Sequence, residues 1–75
     1  MIYRLAEKSL RTWLEGRGLG IKECKEWARW TYNNRPFWSV WGFVYGLETP
    51  IFEHCGIQIY DDGEILIVVG NIPSV

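Results

Sequence analysis

Residues 36 to 75 contain neither lysine nor arginine, and of the things scarce in this 75-residue chain that absence says most. All eight cations, Arg4, Lys8, Arg11, Arg17, Lys22, Lys25, Arg29 and Arg35, fall in residues 1 to 35 beside four acids, Glu7, Glu15, Glu23 and Glu26, a balance of +4. The remainder holds five acids, Glu48, Glu53, Asp61, Asp62 and Glu64, and stands at -5. Read this way the chain is electrically two-sided, which hints at a charged partner. Its total of -1 and pI near 5.7 nevertheless lack the strongly basic balance usual in a nucleic-acid domain.

Long apolar runs are missing too. No stretch approaches the roughly 18 residues a membrane span requires, and Arg4, Glu7 and Lys8 interrupt the N-terminus before a signal-peptide core can form. A soluble, cytoplasmic protein with no membrane partner is expected. Cys24 and Cys55 are too few for a disulfide framework and read as buried thiols, with one bridge between them possible. His54 is the only histidine; it adjoins Cys55, but neighbours on a strand point to opposite faces and no CxxC or HxxxH pattern completes a metal site.

Catalytic signatures are equally scarce. There is no Walker loop, GxSxG, HExxH or EF-hand pattern. Gly16-Arg17-Gly18-Leu19-Gly20 follows a helical pattern and no strand, so it reads as a cap and turn, not a phosphate loop. Glu53, His54 and Cys55 lack a base or orienting partner at usable spacing, and Asp61, Asp62 and Glu64 sit where a hairpin tip is expected. A chain this small also leaves little volume for an enzymatic pocket. No enzyme activity, catalytic residue, cofactor or metal is expected.

Apolar and aromatic residues, by contrast, are plentiful: 48% of the chain is hydrophobic and 16% aromatic, with five tryptophans. A single domain over residues 1 to 75 buries only about 60% of its unfolded surface, so this is more apolar material than one core hides. Ile2, Leu5, Ala6, Leu10, Trp13 and Leu14 mark one face of a helix over about 2–15. The spacing of Ile21, Cys24, Trp27 and Ala28 predicts a second helix over 21–33, ended by Asn33-Asn34-Arg35-Pro36. Strands are expected over about 37–45, 56–60 and 65–69, after a turn at Leu47-Glu48-Thr49-Pro50. Asp62-Gly63 between two β-branched runs predicts a two-residue hairpin loop. The expected architecture is α+β, an N-terminal helical hairpin on a three-stranded antiparallel sheet (ααβββ).

A two-residue loop places Ile57, Ile59, Leu66 and Val68 on the helix side, and Gln58, Tyr60, Ile65 and Ile67 on the other. In Phe37-Trp38-Ser39-Val40-Trp41-Gly42-Phe43-Val44-Tyr45 both alternating sets are apolar; the larger rings of Trp41, Phe43 and Tyr45 are assigned to the core and Trp38 to a partner. Strands apolar on both faces need cover on both, and two helices cover one. The second face is therefore expected to meet another protein or a second copy of the chain, as a homodimer. Its candidate binding residues are Trp30, Trp38, Tyr60, Ile65 and Ile67, with Glu48, Asp61 and Asp62 as an acidic rim. The expected function is a small non-enzymatic binding module of the inhibitor or adaptor type, a build shared by small proteins of phages and mobile elements. The alternative is a nucleic-acid binder using Arg11, Arg17, Lys22, Lys25, Arg29 and Arg35 on the basic half, with tryptophans stacking on bases.

Overall fold

Residues 3–48 and 52–69 are described by the structure, a computed structural model. Among the described residues one helix, α1 (Arg4–Glu15), precedes four strands, β1 (Leu19–Tyr32), β2 (Arg35–Gly46), β3 (Phe52–Tyr60) and β4 (Ile65–Val69). The strands pair antiparallel in chain order, and α1 packs on one side of the sheet they form. The fold is α+β, with four strands in place of the expected three and without the helical hairpin. Thr49 and Pro50 of the expected turn, and Ile2 of the expected helix, lie outside the described residues.

The helix forms where the apolar spacing requires it. Ala6, Leu10 and Leu14 repeat at i, i+4 and i+8, and the two leucines are fully buried. Leu5, on the edge of the same stripe, is 73% exposed. At the C-terminal end Arg17 donates to the Trp13 carbonyl at 3.1 Å and lies 3.7 Å over the Trp13 ring. Gly18, at φ 73°, then turns the chain into β1.

The segment expected to be a second helix is the long edge strand β1, and two bulges explain why its pattern reads as helical. Glu23 and Cys24 together stand opposite Gly42, and Glu26 and Trp27 together opposite Val40. At each place an extra residue enters β1, and Glu23 and Glu26 take up positive φ values of 57° and 60°. Ile21, Cys24 and Trp27 consequently all pack toward the core at a spacing of three, which over so short a span mimics the 3.6-residue period of a helix. Asn33-Asn34, read as a helix stop, is the turn of the β1–β2 hairpin. Tyr32 pairs with Arg35 across it, and both asparagines have the positive φ that a type I′ turn demands.

The β3–β4 loop is also longer than expected. Tyr60 N–H donates to the Glu64 carbonyl at 2.8 Å and Gly63 N–H to the Tyr60 carbonyl at 2.9 Å, so Asp61, Asp62 and Gly63 form a three-residue loop with Gly63 at φ 99°. The register becomes Ile59↔Ile65, Gln58↔Leu66 and Ile57↔Ile67. A slip of one residue exchanges the faces of a strand: Ile65 and Ile67 face α1, and Leu66 and Val68 face away, the reverse of the expectation.

On β2 the expected sides are likewise reversed. Val40 and Val44 lie in the core with Ile57, Ile59 and Cys55, and Trp38 packs beside them, edge-on to Tyr3 and Trp27, which stack at 4.3 Å. This side is crowded by neighbouring strands as well as by the helix. Gly42 is the extreme case: a Cβ there would lie 2.9 Å from Ile21 Cδ1 and 3.2 Å from the Lys22 carbonyl oxygen at the first bulge. Gly42→Ala is therefore expected to destabilise the fold by about 1–3 kcal/mol through overpacking, whereas Glu26→Gly, which removes a side chain from a left-handed position, stabilises it by about 1 kcal/mol. Urea denaturation midpoints of the two variants check both signs.

Candidate interaction face

On the side of the sheet away from α1, the ladder sets Lys22, Lys25, Trp30 and Tyr32 of β1 beside Phe43, Trp41, Phe37 and Arg35 of β2, then His54, Gly56, Gln58 and Tyr60 of β3, then Leu66 and Val68 of β4. The rings lie flat because glycines stand opposite them. Gly20 pairs with Tyr45 and Gly56 with Trp41. An added Cβ on Gly20 would meet the Tyr45 ring at 2.6 Å, and one on Gly56 would meet the Trp41 indole at 3.2 Å. His54 fills the space between Trp41 and Phe43, at centroid distances of 5.4 and 4.8 Å.

A second aromatic group occupies the hairpin end of this face. Phe37 and Tyr60 are buried with ring centroids 4.9 Å apart, Tyr60 Oη donates to Gln58 Oε1 at 2.9 Å, and Arg35 lies 4.1 Å over the Tyr60 ring. They floor an open hollow of about 360 Å³ that Trp30 and Tyr32 flank. Exposure separates floor from wall: Tyr60 is 8% exposed, Trp30 58% and Tyr32 67%. Trp41, Leu66 and Val68 are exposed on the same face.

Of the residues singled out from sequence, Trp30 and Tyr60 therefore share the uncovered face. Trp38, Ile65 and Ile67 lie on the helix side against the core, contrary to the expected assignment, and Glu48 lies exposed just beyond the end of β2. Tyr32, Trp41, Leu66 and Val68 complete the face and were not anticipated. The signal that could have found them is Asn33-Asn34, a residue type that tolerates the left-handed turn conformation; read as a hairpin turn it makes β1 a strand and sets Tyr32 and Trp30 in one row.

The expected charge separation does not persist in space, since the β1–β2 and β3–β4 turns lie at the same end of the sheet. Arg29 makes a two-pronged ion pair with Asp61, at 2.7 and 2.5 Å, and Arg35 reaches Asp62 at 2.7 Å and Glu64 at 2.5 Å. Arg11 donates to the Ile21 carbonyl and to Glu7, tying α1 to β1. The six cations named for nucleic acid thus do not share one surface: Arg11 and Arg17 belong to the helix end, Arg29 projects to the helix side, and Lys22, Lys25 and Arg35 lie toward the open face. Cys24 and Cys55 are both thiols. They sit on β1 and β3 with β2 between, about 10 Å apart by strand spacing and beyond bridging distance. Burial pushes the Cys24 thiol up against the pull of Arg11.

The acidic tip gives a pH dependence with a definite sign. The Arg29 guanidinium holds the Asp61 carboxyl below its ordinary range, and the Glu64 N–H, then Arg35, do the same for Asp62. Groups lowered on folding stabilise the native state above about pH 4, and that contribution is lost as pH falls through their folded values. Asp61→Asn is expected to have a lower urea midpoint than wild type at pH 7, with the two curves converging toward about pH 2. Compared with protein-family models, curated proteins and solved structures, the chain matches none.

Proposed function

We propose that this chain is a small non-enzymatic protein-binding module of the inhibitor or adaptor type, and that it acts by laying the uncovered face of its sheet on another protein. One observation carries the reading: Trp30, Tyr32, Trp41, Leu66 and Val68 are exposed together on the face that α1 does not cover. Tryptophan and tyrosine dominate interface hot spots because they bury much area for few rotatable bonds. Here that cost is lower still, since Trp41 rests against Gly56 and Tyr45 against Gly20 before any partner arrives. The hollow between Trp30 and Tyr32 offers a socket for an apolar side chain. Arg35, Asp62 and Glu64 form a polar, ion-paired rim beside it.

The nucleic-acid reading is less well supported, because Arg29 and Arg35 already neutralise acids of the hairpin tip and Arg11 is held by Glu7. The test combines Trp30→Ser with Trp41→Ser and measures quantitative capture of a partner from the native cell. Both rings are exposed, so the thermal midpoint is expected to stay within a few degrees. Partner enrichment is expected to fall by about 30-fold or more, the loss of a hot spot of about 2 kcal/mol. Undiminished capture would place the binding surface elsewhere, and salt-dependent retention of single-stranded RNA or DNA that depends on Lys22 and Lys25 would favour the alternative.

A further inference from the structure

The two edges of the sheet are built differently. β1 is long, broken by bulges at Glu23 and Glu26, and carries Lys22, Glu23, Lys25 and Glu26 along the bulged stretch. Bulges and charges of this kind keep an edge from pairing with another chain. β4 is Ile65-Leu66-Ile67-Val68-Val69, without charge, proline or bulge, and its register with β3 runs unbroken from Ile65 to Val69. Among the described residues no strand lies beyond it. α1 packs chiefly on β1 and β3, and Leu66 and Val68 are 41% and 58% exposed.

The outward hydrogen-bonding groups follow from the ladder. Tyr60 N–H bonds to the Glu64 carbonyl. Because bonded and non-bonded pairs alternate in an antiparallel ladder, Leu66 and Val68 bond back to β3, and the backbone groups of Ile65, Ile67 and Val69 point outward. We propose that this edge pairs with itself: β4 of one copy joins β4 of a second copy, antiparallel about a two-fold axis at Ile67, and extends the four-stranded sheet across both molecules. In that register Ile67 meets Ile67, Leu66 meets Val68 and Ile65 meets Val69. Every cross-strand pair is apolar and no like charges oppose one another. The faces also match, helix side continuing helix side, so the uncovered faces of the two copies become one longer surface. An edge with no charge discriminates against no sign, and the sequence is its own apolar complement about Ile67; a second copy therefore fits it without a change of side chain. Leu66 and Val68 belong to the open face as well as to the edge, so the Trp30→Ser/Trp41→Ser pair, which leaves the edge intact, is expected to stay dimeric and separates the two.

Sedimentation velocity and light scattering on the full chain test it. A dimer is expected, with Val68→Lys and Leu66→Glu each shifting the chain to monomer while the far-UV spectrum and thermal midpoint stay close to wild type, both positions being exposed. Mixed one to one, the two variants are expected to recover the dimer mass, because the introduced lysine then stands opposite the introduced glutamate. A wild-type chain that remains monomeric at about millimolar concentration overturns the proposal. So does a dimer that survives both single variants, or one that is lost in the Trp30→Ser/Trp41→Ser pair while the β4 variants retain it; that last result would place self-association on the open face.

Discussion

Among the described residues one twelve-residue helix has to cover a four-stranded sheet. At about 18 Å long and 10–12 Å across, such a helix can shield the middle strands on one side and nothing on the other. Leu10 and Leu14 descend from it onto Ile21, Val40, Val44 and Ile57, and the core is concentrated in that patch. The two bulges of β1 serve the same constraint. By inserting Glu23 and Glu26 they keep Ile21, Cys24 and Trp27 on the covered side and leave the intervening charged residues exposed to solvent. Gly42 lets the edge strand approach closely where the first bulge presses on β2.

The uncovered side solves a different problem. A face with so many rings would be loose if they stood upright in water, yet Trp41 and Tyr45 lie against glycines of neighbouring strands, and Phe37 and Tyr60 close against each other. The apolar area left over is therefore held in a fixed relief of flat rings and one hollow, with Trp30 and Tyr32 standing proud of it. Fixed relief of that kind costs little further entropy on contact.

Sequence alone disclosed an N-terminal helix, expected over about 2–15 and found at Arg4–Glu15, the strand character of residues 37–45 and 65–69, and a turn at Asp62-Gly63. It concealed β1 for a physical reason: a strand that carries two bulges loses the two-residue alternation by which strands are recognised and acquires a spacing of three. It misplaced the two faces for another. Nothing in Asp61-Asp62-Gly63-Glu64 separates a two-residue loop from a three-residue one, and that single residue decides whether Leu66 or Ile67 is inside. Ring size was a poor guide on β2, where Val40 and Val44 join the core and Trp41 lies over Gly56 on the other face. Trp30 was legible as an exposed ring since it left the apparent stripe under any reading. Its neighbours Tyr32 and Trp41 could be recognised only once β1 was a strand.

The pairing of Arg29 with Asp61, and of Arg35 with Asp62 and Glu64, closes one end of the sheet by joining the two hairpin turns. It also offsets there much of the charge that the chain keeps apart along its length, two guanidiniums against three carboxylates, and so weakens the field reaching beyond a Debye length of about 8 Å. For the binding role proposed above, encounter is then expected near the unsteered rate, on the order of 10⁵–10⁶ M⁻¹s⁻¹, with affinity set by how slowly the rings let go.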